Sequence, residues 1–267
     1  MIQIVRAQCP VCLLTSRAKD RYRCRQVVMA LWTMQFGKCC YSEIPLPMDG
    51  QGKTVEHHYP KSKYFCKANE WSNLLLASPH CNGRKRNLFP QTYAPHSLSP
   101  ARVLRYRTRS GRKSRKAGTA CPLLIDPADP RDNPERHLSY VLDSTAGDAF
   151  GQIVARANSR KGRTTIDVTG LDDYYFLTER RFFVIEVLLE SFKNIMRARF
   201  LGPEQSLRGH VDGFQAYLHS SHRFAGLARE FARQMKLDQV GVVIPTISAR
   251  SVKTPRSPKT RPGRRKS

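Results

Sequence analysis

Val55-Glu56-His57-His58-Tyr59-Pro60-Lys61-Ser62, followed by Trp71-Ser72-Asn73-Leu74-Leu75-Leu76-Ala77-Ser78-Pro79-His80-Cys81-Asn82-Gly83-Arg84-Lys85, is the stretch on which the reading turns. It is short, polar and rich in His, Asn, Pro and Cys, which suits a compact unit of hairpin and loops without long elements. Its chemistry is that of phosphodiester hydrolysis. A base must activate water, and a divalent cation must neutralise charge growing on the phosphate and the leaving oxygen. A hard cation such as Mg²⁺ takes oxygen ligands and keeps several waters. A carboxylate beside a histidine on a strand, with an amide oxygen at a helix start, meets those needs. Glu56, His57 and Asn82 are those residue types.

The same residues carry a resemblance. The pattern from Glu56-His57 and Pro60-Lys61 through Trp71, Asn73-Leu74 and Cys81-Asn82 to Lys85, with Phe89-Pro90 closing the block, resembles PtuB-like HNH proteins. These occur in Septu anti-phage systems and in some retron systems. Weaker echoes extend it over about residues 38–180. The resemblance implies an α+β fold in which a small ββα-metal site is embedded in a mainly helical protein. It implies Glu56 and Asn82 as ligands of Mg²⁺ or Mn²⁺ and His57 as the activator of water. Asn73 would hold the loop and the histidine's backbone, and Lys85 would touch the scissile phosphate. His58 is the reserve base, because two adjacent histidines leave the register open and an alternating strand turns only one of them to the metal. The implied partners are a PtuA-type ATPase and, in the retron arrangement, a reverse transcriptase with its DNA and RNA.

One feature of the pattern is broken. Many HNH domains hold this small motif together with zinc on two C-x-x-C pairs. Here the first pair reads Cys39-Cys40-Tyr41-Ser42 and the second Ser78-Pro79-His80-Cys81. Serine is a poor zinc ligand, so the expectation is no structural zinc, with hydrogen bonds or packing in its place. Cys9-x-x-Cys12, with Cys24, is a second and weaker metal candidate.

Working outward, the chain expects five segments. Residues 1–37 form an N-terminal segment with an amphipathic helix from Asp20 to Phe36, and 38–95 form the motif. Residues 96–120 form a basic linker, 121–240 a mainly helical region, and 241–267 a disordered basic tail. Within 121–240, Leu123 to Pro127 reads as a strand, and 137–142 with 152–156 as a hairpin. Thr164 to Leu171 reads as a short helix. One long helix runs from Asp172 to about Phe200, and further helices are expected over 204–218 and 221–236.

Across 267 residues, 46 Lys+Arg face 21 Asp+Glu, a formal charge of +25. A polyanionic partner follows, nucleic acid before anionic membrane. The stretches 101–116 and 249–267 each hold eight basic residues and no acid. They can neutralise phosphates without reading bases. The nucleic-acid contacts expected are Lys61, Lys63, Arg84, Arg105, Tyr106 and Arg107. No signal peptide or membrane-spanning run is visible, so the expected location is the cytoplasm, where eight cysteines read as thiols or metal ligands. The function expected is therefore a nuclease. The alternative is a catalytically inactive, basic nucleic-acid-binding module of a larger assembly.

Overall fold

The structure is a computed structural model that describes residues 1–15, 20–93 and 120–245. The basic stretch 101–116 with Arg105, Tyr106 and Arg107, and the tail 249–267, lie outside the described residues.

After an irregular start and one helical turn, α1 (Val11–Thr15), the expected helix from Asp20 arrives in two pieces. A 3-10 turn at Arg21–Arg23 comes first, the chain is extended at Cys24, and α2 (Arg25–Met34) follows. Asp20 makes no side-chain cap and the first turn carries no acid, so nothing offsets the unpaired N–H groups of a longer helix. The break lets Tyr22 bury its ring while α2 buries Val27, Leu31 and Met34. Gly37, at φ +65°, ends the segment.

β1 (Thr54–His57) and β2 (Leu74–Ala77) pair antiparallel, with Glu56 opposite Leu75 and His57 opposite Leu74. All four residues of β2 are buried. Its free edge is closed by the Gln35 side chain, which accepts from Leu76 N at 2.7 Å and donates to Leu76 O at 2.9 Å, and by Cys40 N, which donates to the same oxygen. Pairing of that edge leaves no polar backbone stranded in the core. α3 (Pro79–Lys85) begins at once after β2. Ser78 caps it by accepting from Cys81 N, and Pro79 occupies the first helical position.

β3 (Gln91–Tyr93) pairs with β4 (Ala120–Pro122). β4 thus ends just before the span 123–127 where a strand was expected. Leu124 and Ile125 are apolar because they are fully buried, and Ile125 N donates to Thr165 Oγ1 at 3.0 Å, with no strand beside it. β5 (Leu138–Tyr140) and β6 (Ile153–Ala155) form a hairpin inside the expected spans. α4 (Arg160–Thr169) starts four residues earlier than expected because Ser159 caps Gly162 N at 3.1 Å, and it ends at Gly170 in the left-handed region. α5 (Tyr174–Phe182), a π-helical stretch at Phe183–Leu189 and α6 (Glu190–Leu201) then run on without interruption to Gly202-Pro203. α7 (Glu204–Leu218) packs back on α6, and α8 (Ala225–Gln234) is shorter at both ends than the expected 221–236.

Ala225 to Ala232 are all buried, so α8 is the central helix. A methyl at Gly226 would stand 2.8 Å from the Glu43 carboxylate and 2.9 Å from the Met1 backbone, and only glycine lets the chains approach so closely. Among the described residues no helix is long and apolar enough to cross a membrane.

Candidate active site

His57 ends β1 and His58 follows it, and their two side chains point different ways, as alternation along an extended chain leads one to expect. His57 lines an open cavity of about 550 Å³, together with Glu56, Thr54, Asn82, Pro60 and Lys61, and Arg23, Arg86 and Asn87 add to its wall. His58 is not part of that wall. Its ring packs edge-on against Tyr59 and Phe89, at centroid distances of 5.3 and 5.4 Å. The reserve base is thus turned into an aromatic cluster, away from the cavity.

His57 Nε2 lies 2.9 Å from the carbonyl oxygen of Ala68. A carbonyl only accepts, so Nε2 carries the proton and Nδ1 keeps its lone pair. The Tyr22 ring stands edge-on to the imidazole at 4.6 Å and fixes its plane. Burial pushes the His57 pKa down to about 4, only partly opposed by the bond to Ala68, with Lys61 and Lys85 adding to the fall. The ring is neutral at pH 7.

The loop that presents Ala68 is held by Asn73. Asn73 Oδ1 accepts from Tyr59 N at 2.7 Å, Nδ2 donates to the carbonyls of Tyr59 and Lys67 at 3.0 Å each, and Asn73 O accepts from His58 N at 3.0 Å. Four bonds from one buried residue tie both ends of the 58–68 loop to the start of β2. Arg6 fastens the other side, donating to the carbonyls of Trp71, Ser72 and Leu74.

Glu56 is 1% exposed and Lys85 is fully buried. Lys85 Nζ sits 2.6 Å from Glu56 Oε1 and donates to His57 O at 2.9 Å. Tyr41 OH donates to the same Oε1 at 3.2 Å. Lys85, expected from the resemblance to touch the scissile phosphate, is instead enclosed. It lies beneath the site as the counter-charge of Glu56, because α3 turns position 85 inward against β1. Both contacts fall on Oε1, and no hydrogen bond to Oε2 is formed among the described residues. Asn82 behaves alike: its Nδ2 donates to Thr54 Oγ1 at 2.8 Å, and its Oδ1 has no hydrogen bond among the described residues. Two oxygen donors of the kind a hard cation takes thus line a cavity with room for water.

The residues at the broken zinc positions are buried together. Cys39 Sγ accepts from Ser78 N at 3.3 Å and lies 3.8 Å from Ser78 Oγ, while Ser42 Oγ is buried with no hydrogen-bond partner among the described residues. Among the described residues no three His, Cys, Asp or Glu side chains are grouped to hold a metal.

Of the expected nucleic-acid contacts, Lys61 reaches the cavity wall, with its ammonium hydrogen-bonded to Tyr22 OH and 4.7 Å from the centre of that ring. Lys63 and Arg84 lie on a neighbouring exposed surface. Tyr22, Tyr41, Arg23, Arg86 and Asn87 were not singled out for the site from sequence. Tyr22 reads as one more apolar helix residue, and Arg86 is one cation among many.

The buried histidines set an acid limit on stability. His58 is also pushed down to about 4 by burial, with Lys85 and Lys161 lowering it and Asp126 and Asp132 raising it. An unfolded histidine titrates near 6.5, so between pH 6.5 and 4 the unfolded chain binds more protons. Stability is complete above about 6.5 and falls as pH drops through that window. His58 Nδ1 is buried without a partner, so His58→Phe removes an orphaned atom as well as a proton site. At pH 4.5 the variant is expected to retain about 2 kcal/mol that the wild type loses relative to pH 7. Urea midpoints at the two pH values measure this, and equal losses in both proteins would refute it.

No family model matches the chain. It is 25% identical over 175 residues, covering 63% of its length, to a protein of Bacillus thuringiensis named Septu protein PtuB. The chain spans about half, 52%, of the length of that curated relative. The similarity is that of a distant relative.

Proposed function

We propose that the chain is a metal-dependent HNH nuclease, an effector of a bacterial anti-phage defence system of the Septu kind, that hydrolyses phosphodiester bonds in DNA or RNA. The observation that carries this reading is one cavity lined by Glu56, His57 and Asn82, with the His57 tautomer set by Ala68.

In this reading the Glu56 carboxylate and the Asn82 amide oxygen would hold the cation. Mg²⁺ or Mn²⁺, when bound, supplies neutralisation of the charge that builds on the phosphate. His57 Nδ1 takes a proton from a water whose oxygen forms the new bond to phosphorus. The bond from phosphorus to the ester oxygen breaks, and that oxygen leaves with the electron pair and is protonated from solvent. The Ala68 carbonyl stabilises the imidazolium that results, as an acceptor on the opposite ring nitrogen does in other acid–base pairs. Arg23, Lys61 and Arg86 on the wall attract the polyanion.

A partner ATPase of the PtuA type fits the distant similarity, and the helix from Tyr174 to Leu201 offers it a surface. Phe182, Ile185, Phe200 and Leu201 are exposed along it. A retron reverse transcriptase would join the assembly only in the retron arrangement.

The inactive-module alternative is favoured by one contact, since Glu56 already has a buried cationic partner in Lys85. The experiment that decides is incubation of the purified chain, alone and with a co-expressed ATPase partner, with labelled DNA and RNA in Mg²⁺ or EDTA. Cleavage in Mg²⁺ that EDTA abolishes supports the nuclease. Binding without cleavage under any divalent ion, in both preparations, supports the alternative.

A further inference from the structure

A second cavity of about 470 Å³ adjoins the first. Lys63, Gly83, Arg84, Arg86, Asn87 and Leu88 line it, and Arg86 and Asn87 belong to both walls. Its charge is one-sided. Arg84 Nε is 3.5 Å from Asp173, whereas neither Lys63 nor Arg86 pairs with an acid among the described residues.

Arg86 is the built part of this surface. It follows α3 with φ +46° and ψ −121°, a conformation that non-glycine residues rarely take. The turn lifts its side chain onto the ridge between the two cavities. Its Nε donates to Gly83 O at 3.0 Å, which fixes the plane of the guanidinium. The two terminal amino groups have no partner among the described residues. A guanidinium held at Nε with both ends free is a fork prepared for a tetrahedral anion. Beside it a methyl added at Gly83 would meet nothing within 4 Å, so the floor is open. Leu88, 51% exposed, forms an apolar lip suited to a sugar face.

We propose that this second cavity is a subsite for a backbone phosphate of the same polynucleotide that enters the first, with Arg86 clamping the strand between the two and Lys63 neutralising the outer phosphate. Calling the first cavity the scissile position rests on the nuclease reading; the existence of the subsite does not. A strand must then extend beyond the reacting phosphate for full affinity, and a ligand with a single phosphate gains nothing from Lys63.

Fluorescence anisotropy on the full chain tests this without any need for turnover. The probes are a labelled twelve-nucleotide strand and its duplex, with an unlabelled dinucleoside monophosphate as competitor. The variants are Lys63→Ala and Arg86→Gln, with Arg208→Ala on α7 as a control that removes one exposed cation from a helix lining neither cavity. Lys63→Ala and Arg86→Gln are expected to weaken the twelve-nucleotide probes about tenfold and to flatten the salt dependence by roughly 0.9 log units per phosphate contact on duplex. Lys63→Ala is expected to leave competition by the dinucleoside unchanged, and Arg208→Ala to change nothing. Wild-type affinity in Lys63→Ala and Arg86→Gln, with melting temperatures intact, overturns the subsite. So does an equal loss on the dinucleoside in Lys63→Ala, which would put Lys63 at the first cavity. Preference for anionic phospholipid vesicles over either oligonucleotide overturns it also. A wild type that binds strands through Lys63 and Arg86 but cleaves none in any divalent ion would refute the nuclease reading and keep the subsite.

Discussion

His57→Ala is expected to lower the rate of phosphodiester cleavage by roughly a hundredfold to ten-thousandfold, the usual worth of a positioned general base, while substrate affinity stays within a few-fold. The expectation rests on one proton. Ala68 O holds Nε2–H, so Nδ1 is the basic atom, and alanine offers none. The neighbouring imidazole gives no relief, since His58 packs between Tyr59 and Phe89 and its Nδ1 is enclosed. Binding should survive because Arg23, Lys61 and Arg86 remain on the wall. With the His57 pKa near 4, the base is competent throughout the neutral range, and its loss should lower wild-type cleavage as pH drops toward that value. Single-turnover rates and anisotropy on the same preparation separate the two effects. Undiminished cleavage by the variant, or loss of the activity in His58→Phe alone, would discard His57 as the base.

In the sequence, Glu56, His57 and Asn82 were legible through the motif resemblance, and their spacing agrees with it. Glu56 and His57 are adjacent on a strand, and Asn82 follows a Ser-Pro helix start, so local geometry alone brings them near one edge of a hairpin. The 137–142 and 152–156 hairpin and the helix to Phe200 were legible from spacing, being periodic over their own length. What failed depended on tertiary burial. The phosphate contact of Lys85 came from the resemblance, and nothing in its local sequence shows that the path of α3 beneath β1 buries it as the partner of Glu56. Leu124 and Ile125 read as a strand because an apolar pair looks the same whether it joins a ladder or fills a core. The helix from Asp20 was read too long because apolar spacing carried no sign that Tyr22 turns inward against His57. The Ala68 carbonyl left no trace in the sequence, since any residue type supplies one.

Lys85→Met should be the most destabilising of these substitutions and should alter chemistry without touching substrate. Lys85 Nζ serves Glu56 Oε1 at 2.6 Å and His57 O at 2.9 Å with no exposure to solvent. Removing one partner of a buried ion pair typically costs about 3–5 kcal/mol, because the other charge stays behind. For a chain of this size that corresponds to a fall in Tm of roughly 10 °C. Glu56 can escape part of the cost by taking a proton. Burial already raises its pKa above the usual carboxylate value, with Lys85 the main influence opposing that rise, so loss of the ammonium drives it higher. A protonated Glu56 is a poor cation ligand, and cleavage near neutral pH should drop. The pH dependences of the variant then have opposite signs. As pH rises, Glu56 re-ionises and cleavage recovers toward the wild-type rate. Over the same window the folded state, which holds the extra proton, loses stability. Adding Glu56→Gln to Lys85→Met should return part of the lost stability, because no unpaired charge remains, and none of the activity. Melting curves and rate–pH profiles of the three proteins test the whole chain of cause. A Lys85→Met protein that melts with the wild type and shows the wild-type profile would mean that Lys85 does not sustain the ionised Glu56 on which the site depends.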